Sequence, residues 1–148
     1  MIVEIINTQK ADISSFESKY GVELPRDYRS FLEKNNGCIS QDDTSIFIAD
    51  LNAELEIDSL FGLGSEREWL NIDFWMGEYS RDLPVGSVIF GCDLLKGLFV
   101  WINDAENGGV YYWDDTLRFP KSSDESNAYY VCATFGDFLN LLGGVEPI

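Results

Sequence analysis

Apolar residues recur at two spacings along this chain, and the switches between them mark its elements. Ile13, Phe16 and Tyr20 fall at i, i+3 and i+7, one face of a short helix that Asp12 can cap and Gly21 can stop in a left-handed conformation. A second helix begins at Leu24-Pro25, carries the stripe Tyr28, Phe31 and Leu32, and ends at Asn35-Asn36-Gly37. The two stripes should pack together. Ile2 to Ile6 fits either a strand or a leading turn, since four apolar residues around Glu4 satisfy both periods.

After Gly37 the pattern becomes strand-like. Ser45 to Ala49 and Glu56 to Phe61 read as short strands separated by a polar segment at Asn52 to Glu54. Ser65 and Glu68 have the spacing of a capping box, which predicts a third helix with Trp69, Ile72 and Met76 on one face and an end near Gly77. Val88 to Asp93, Leu98 to Ile102 and Val110 to Trp113 read as consecutive antiparallel strands, the last two joined through Asn107-Gly108-Gly109. Ser122 to Asn127 is a polar loop, and Tyr129 to Ala133 a last strand. Thr134 and Asp137 then cap a closing helix with Phe135, Phe138, Leu139 and Leu142 at helical spacing. With no internal repeat or linker, residues 1–148 are expected to form one α+β domain, a largely antiparallel sheet flanked by about four helices. Phe16, Tyr28, Phe31 and Phe138 are expected in its core.

Charge changes the picture of what such a domain can bind. The 148 residues include 10 basic and 26 acidic side chains, a net charge of −16, and no histidine. Without imidazole there is no Ser-His or Cys-His nucleophile, no histidine zinc site and no histidine acid–base catalyst. A strongly acidic surface repels phosphate, so direct nucleic-acid and anionic-membrane partners are disfavoured and a basic protein partner is favoured. The N-terminal residues lack the basic and long apolar regions of a secretory signal, which makes the cytoplasm the expected compartment. Cys38, Cys92 and Cys132 are odd in number and widely spaced, as buried free thiols would be.

The acidity is uneven. Residues 1–37 carry five basic and six acidic side chains, whereas residues 38–148 carry five and 20. Clusters that rise above this background are Asp42 with Asp43; Glu66 with Glu68 and Asp73; Asp104 with Glu106; and Asp114 with Asp115. Each is a candidate partner contact or a set of solvated loop charges. Asp104-Ala-Glu-Asn-Gly does not complete a calcium loop, and Gly62-Leu-Gly64 lacks the later glycine and lysine of a phosphate loop. A glycosidase would need two carboxylates about 5 to 10 Å apart across a cleft, a distance no sequence supplies. No metal or cofactor is expected. Of the four tryptophans, Trp69, Trp101 and Trp113 are expected in the core, the last two as a cross-strand or diagonal pair. Trp75 lies off the helical stripe, either packed inside or presented as an aromatic anchor for a partner.

The stretch Ile13-Ser-Ser-Phe-Glu-Ser-Lys-Tyr-Gly-Val-Glu-Leu-Pro-Arg-Asp-Tyr-Arg-Ser-Phe-Leu-Glu-Lys-Asn-Asn-Gly37 closely resembles the opening motif of the SUKH superfamily. The resemblance continues more loosely through Ile89-Phe-Gly-Cys-Asp93 with Gly97, Val110-Tyr-Tyr-Trp-Asp114, and the Phe135-x-x-Phe-Leu helix. It departs where the family more often reads Ile-Gly-x-Asp with glycines following, because Phe90 and Leu94-Leu95 intervene here. The resemblance implies a non-enzymatic binding module. In bacteria that role is mainly immunity, the neutralisation of a cognate polymorphic toxin that is frequently a nuclease. Eukaryotic relatives include a regulator of cell-wall synthesis, so a regulatory or scaffold module is the alternative it implies.

Overall fold

The computed structural model describes the backbone of Val3–Ile5 and residues 9–40 and 44–142. In chain order the elements are β1 (Val3–Ile5), α1 (Ile13–Tyr20), α2 (Arg26–Lys34), β2 (Cys38–Ser40), β3 (Ser45–Ile48), β4 (Ala53–Leu60), α3 (Ile72–Tyr79), β5 (Val88–Asp93), β6 (Leu98–Ile102), β7 (Gly109–Trp113), β8 (Ala128–Cys132) and α4 (Phe135–Leu141). Single 3-10 turns at Glu68–Leu70 and Ser80–Asp82 bracket α3.

The helix boundaries follow from local hydrogen bonding. Asp12 caps α1 by accepting the Ser15 amide at 3.2 Å, and Gly21 ends it at φ 64°, where any other residue would be strained. Pro25 takes the cap position of α2 without a side-chain bond, and Thr134 caps α4 by accepting the Asp137 amide at 3.0 Å. The expected capping box at Ser65 and Glu68 does not form. Instead the Asn71 side chain accepts the Ser65 amide at 2.6 Å and donates to the Ser65 carbonyl at 2.8 Å, closing a loop that delays the helix to Ile72. The helix also runs past Gly77 to Tyr79.

All ladder pairings are antiparallel, in the order β1-β2-β4-β5-β6-β7-β8, with β3 pairing with the first half of β4. The expected polar spacer at Asn52 to Glu54 is therefore the start of β4 and the tight turn before it, with Asn52 at φ 53°. Strand β3 also lies against β8, so the sheet curls toward closure. Register assigns the two faces. Phe99 opposite Tyr112 and Trp101 opposite Val110 share one; Leu98 opposite Trp113 and Val100 opposite Tyr111 share the other. Trp101 and Trp113 thus sit on opposite faces, and their expected cross-strand pair does not exist.

On the first face Phe90 and Phe99 meet Phe138 at ring distances of 5.2 and 5.1 Å, and Tyr28 meets Phe135 at 4.6 Å. These five rings are essentially fully buried, each contributing about 1.5–3 kcal/mol. By comparison the exposed Lys19–Asp73 pair is screened by solvent and joins α1 to α3. Aromatic burial, not surface pairing, holds α2 and α4 to the sheet. Trp69 does not join this core: it is 58% exposed.

Candidate partner-binding surface

The loop after β4 is held at both ends before any functional side chain is placed. Buried Asn36 donates its side-chain amide to the Leu63 carbonyl (2.7 Å) and the Gln9 carbonyl (3.0 Å), while its oxygen accepts the Leu63 amide at 2.7 Å. The Gly62 amide donates to Leu70 and the Ile72 amide to Gly62, at 3.0 and 2.9 Å. The 3-10 turn bearing Glu68 and Trp69 is consequently a fixed outward bend, and Glu66, Arg67, Glu68 and Trp69 are all exposed on it.

Trp75 supports that bend from below. Its indole N–H donates to the Trp69 carbonyl at 2.8 Å. Its ring stacks on Phe61 (5.4 Å, 8° between planes) and on Tyr79 (6.0 Å, 10°), while Phe74 meets it edge-on at 5.3 Å. Tyr79 continues the series edge-on to Trp113 at 5.5 Å. Trp69, expected in the core, is therefore at the surface, and the open choice for Trp75 resolves toward packing. Trp75 is a half-buried strut, and Trp69 presents the open ring.

Carboxylates lie near the Tyr79 part of this aromatic series. The Tyr79 hydroxyl is pushed above its ordinary range by burial first and then by the negative charges of Asp115, Glu78 and Asp82. With Glu66 and Glu68 they make five carboxylates, against the guanidinium groups of Arg67 and Arg81. Asp115 is itself raised, by burial and then by neighbouring Asp114, and its Oδ1 is buried without a hydrogen-bond partner. Asp73 turns elsewhere. It accepts from the Tyr20 hydroxyl at 2.5 Å and the Lys19 ammonium at 2.9 Å, which hold its carboxyl below the ordinary range and clasp α3 to α1.

The remaining acidic candidates do not converge here. Asp114 is fully buried and accepts the amides of Arg118 and Phe119, both at 3.0 Å, and the Ser122 hydroxyl at 2.6 Å. It organises a turn and offers nothing to a partner. Asp104 and Glu106 lie on the β6–β7 connection, at the other end of β7 from Asp115, and Asp104 accepts the Asn107 amide at 3.1 Å. Asp42 and Asp43 lie outside the described residues. The structure therefore sets Glu66 and Glu68 beside Trp69 on the bend that Trp75 supports, links Trp75 through Tyr79 to Trp113 and the charge of Asp115, and leaves the others apart. Trp69 was missed because its spacing from Ile72 and Met76 is helical, although the helix begins after it.

The Asp93 and Gly97 motif also has a structural use. Buried Asp93 accepts the Gly97 amide at 2.7 Å and the Tyr112 hydroxyl at 3.2 Å. A Cβ on Gly97 would lie 1.8 Å from the Tyr112 hydroxyl oxygen, so only glycine admits this contact. The three thiols are buried and unpaired; burial pushes Cys38 and Cys132 up to about 12 and Cys92 to about 11, far from nucleophilic thiolates at neutral pH. Among the described residues no three acidic or cysteine side chains are grouped to hold a metal ion, and no helix is long and apolar enough to cross a membrane.

Comparison with known proteins adds the ancestry. The sequence pattern of the SMI1 / KNR4 family (SUKH-1) matches residues 7–141. An SPbeta prophage-derived uncharacterized protein, YokK, of Bacillus subtilis (strain 168) is 26% identical over 162 aligned positions, covering 97% of this chain and 78% of that protein. No solved structure matches the chain.

Proposed function

Taking as premise that the chain belongs to the SMI1 / KNR4 family (SUKH-1), we propose that it is an immunity protein that binds and neutralises a cognate toxin domain without chemistry of its own. The observation that carries this reading is the outward Trp69 on a fixed bend, flanked by Glu66 and Glu68 and continued by the Trp75–Tyr79–Trp113 series with Asp115. An exposed aromatic ring set in a field of carboxylates is what a basic protein surface recognises: the ring supplies a desolvated anchor and the carboxylates steer encounter. A nuclease holds a polyanion and so presents cations, and an acidic domain seated on them excludes the substrate sterically and electrostatically. Because the supporting groups are already stacked and hydrogen-bonded, little ordering accompanies association.

The test is association of the purified pair, measured by surface plasmon resonance at increasing salt. The reading expects that Trp69→Ala raises the dissociation rate at least tenfold. Glu66→Lys with Glu68→Lys should lower the association rate and flatten its salt dependence. Unchanged constants for both variants, with an unchanged denaturation midpoint, would refute this surface as the interface. The alternative, a regulatory or scaffold module, keeps the same surface and replaces the toxin with a host protein.

A further inference from the structure

Two turns at one end of the sheet hold leucines outward in a way that folding does not require. The β5–β6 turn exposes Leu94 and Leu95, 49% and 57% accessible, and the turn after β7 exposes Leu117, 37% accessible. Leu117 adopts φ 55°, a left-handed conformation that asparagine or glycine takes far more readily than a branched apolar residue. A leucine that is both conformationally disfavoured and presented to solvent gives the fold nothing to offset that strain.

The tips are held rigidly. Asp93 secures the first turn through the Gly97 amide, and Asp114 secures the second through Arg118, Phe119 and Ser122. Arg118 ties the turns together, its Nη1 donating to the Leu95 carbonyl at 2.7 Å. Three cations at this end are tied into the fold. Lys96 pairs with Asp58 at 3.5 Å, Arg118 bonds Leu95 and lies over the Phe119 ring, and Lys121 donates to the Asp50 carbonyl. Glu56, whose carbonyl accepts the Leu94 amide at 2.9 Å, and Asp115, two residues before Leu117, form no ion pair among the described residues. Hydrogen bonds to carbonyls leave Arg118 and Lys121 charged, but Glu56, Asp58, Asp93, Asp114 and Asp115 outnumber these two and Lys96, so the apolar tips sit in an excess of carboxylates and fit an apolar recess rimmed by lysine or arginine.

We propose that Leu94, Leu95 and Leu117 form a preorganised apolar contact that a cationic protein partner covers, continuous through Asp115 and Trp113 with the Trp69 surface. It rests on the partner-binding reading above and extends its footprint to residues with no part in the acidic-aromatic series.

The experiment places a photo-crosslinking amino acid at position 95, 117 or, as control, 30 on the exposed side of α2, in the full chain expressed in its own host. Crosslinked proteins are identified by mass spectrometry, and the positions are compared with and without Leu95→Ser. The proposal expects one cationic protein at 95 and 117 and not at 30, with at least a tenfold lower yield at 117 when Leu95→Ser is present. If that protein is the toxin, both readings stand. If it is another cationic protein, the toxin reading falls and this surface stands. No product, equal products at all three positions, or an acidic protein as product would overturn the surface. In parallel, Leu117→Asn should hold or raise the denaturation midpoint; a lower midpoint would show that the leucine serves the fold and would also overturn it.

Discussion

Adjacent aspartates at the end of β7 should respond oppositely to removal. Asp114 accepts two backbone amides and one hydroxyl in a fully buried site. Truncation to alanine leaves the Arg118 and Phe119 amides without an acceptor. Hydrogen bonds to a charged group contribute about 1.5–3 kcal/mol each, so the two amides account for about 3–6 kcal/mol. The Ser122 hydroxyl adds little, because it also lies 2.7 Å from the Tyr129 hydroxyl and can pair there. Part of the amide loss is recovered as the turn loosens and admits water, which places the expected cost at about 3–4 kcal/mol, a large share of the roughly 5–15 kcal/mol that holds a domain folded. With a urea m-value of about 2 kcal/mol/M, the midpoint of Asp114→Ala should fall by about 1.5–2 M. Asp115→Ala removes a carboxylate whose buried Oδ1 has no partner, and its midpoint should hold or rise. Urea unfolding followed by tryptophan fluorescence measures both. Equal midpoints for Asp114→Ala and the unsubstituted protein, or equal losses for both variants, would refute the assignment of Asp114 to the fold and Asp115 to the surface.

Other consequences can be checked with the protein alone. Trp75→Ala should cost about 2–4 kcal/mol by urea unfolding, since it removes a stacked strut, whereas Trp69→Ala should stay within about 0.5 kcal/mol. Gly97→Ala should cost about 1–3 kcal/mol by overpacking against Tyr112, read as a lower thermal midpoint and a changed near-ultraviolet circular dichroism spectrum. The pH dependences of the two buried aspartates have opposite signs. Burial raises the Asp114 carboxyl, but the Ser122, Phe119 and Arg118 donors outweigh it and hold the group below its ordinary value. Its contribution is therefore present above the unfolded pKa and lost as pH falls through the folded one. Burial raises Asp93 despite its Gly97 and Tyr112 donors, so its contribution is present below the unfolded pKa and lost as pH rises through the folded one. Stability-versus-pH curves for Asp114→Asn and Asp93→Asn should each lose the corresponding slope. A thiol reagent at pH 7 should label none of the three cysteines in the folded protein within minutes and all three in urea.

The sequence was most legible where a cap, a stripe and a stop agree. Asp12, Phe16 and Gly21 delimit α1, and Thr134 with Phe135 and Phe138 delimits α4, because each signal is local. The segment 62–71 was misread because Ser65, Glu68 and Trp69 carry a helix-start pattern, while the hydrogen bonds that win are made by Asn36 and Asn71, one of them 27 residues distant from its Leu63 partner. That override moved Trp69 from the expected core to the surface. The short strand β2 gave no periodic signal, since three residues cannot show a period. Charge clusters were visible as composition, but neighbours in sequence separate in role: Asp114 is fully buried and bonds Arg118, Phe119 and Ser122, whereas Asp115 is half-buried and its charge raises the Tyr79 hydroxyl.

Neutralisation of a toxin is tested most directly by co-expression with the C-terminal domain of the protein encoded immediately upstream, once that domain is shown to kill the host by itself, scoring host survival together with co-purification. The account predicts survival and a stable complex for the unsubstituted protein, and loss of both for Trp69→Ala combined with Glu66→Lys and Glu68→Lys at an unchanged denaturation midpoint. Death of the host despite soluble, folded protein, or survival without any complex, would contradict it.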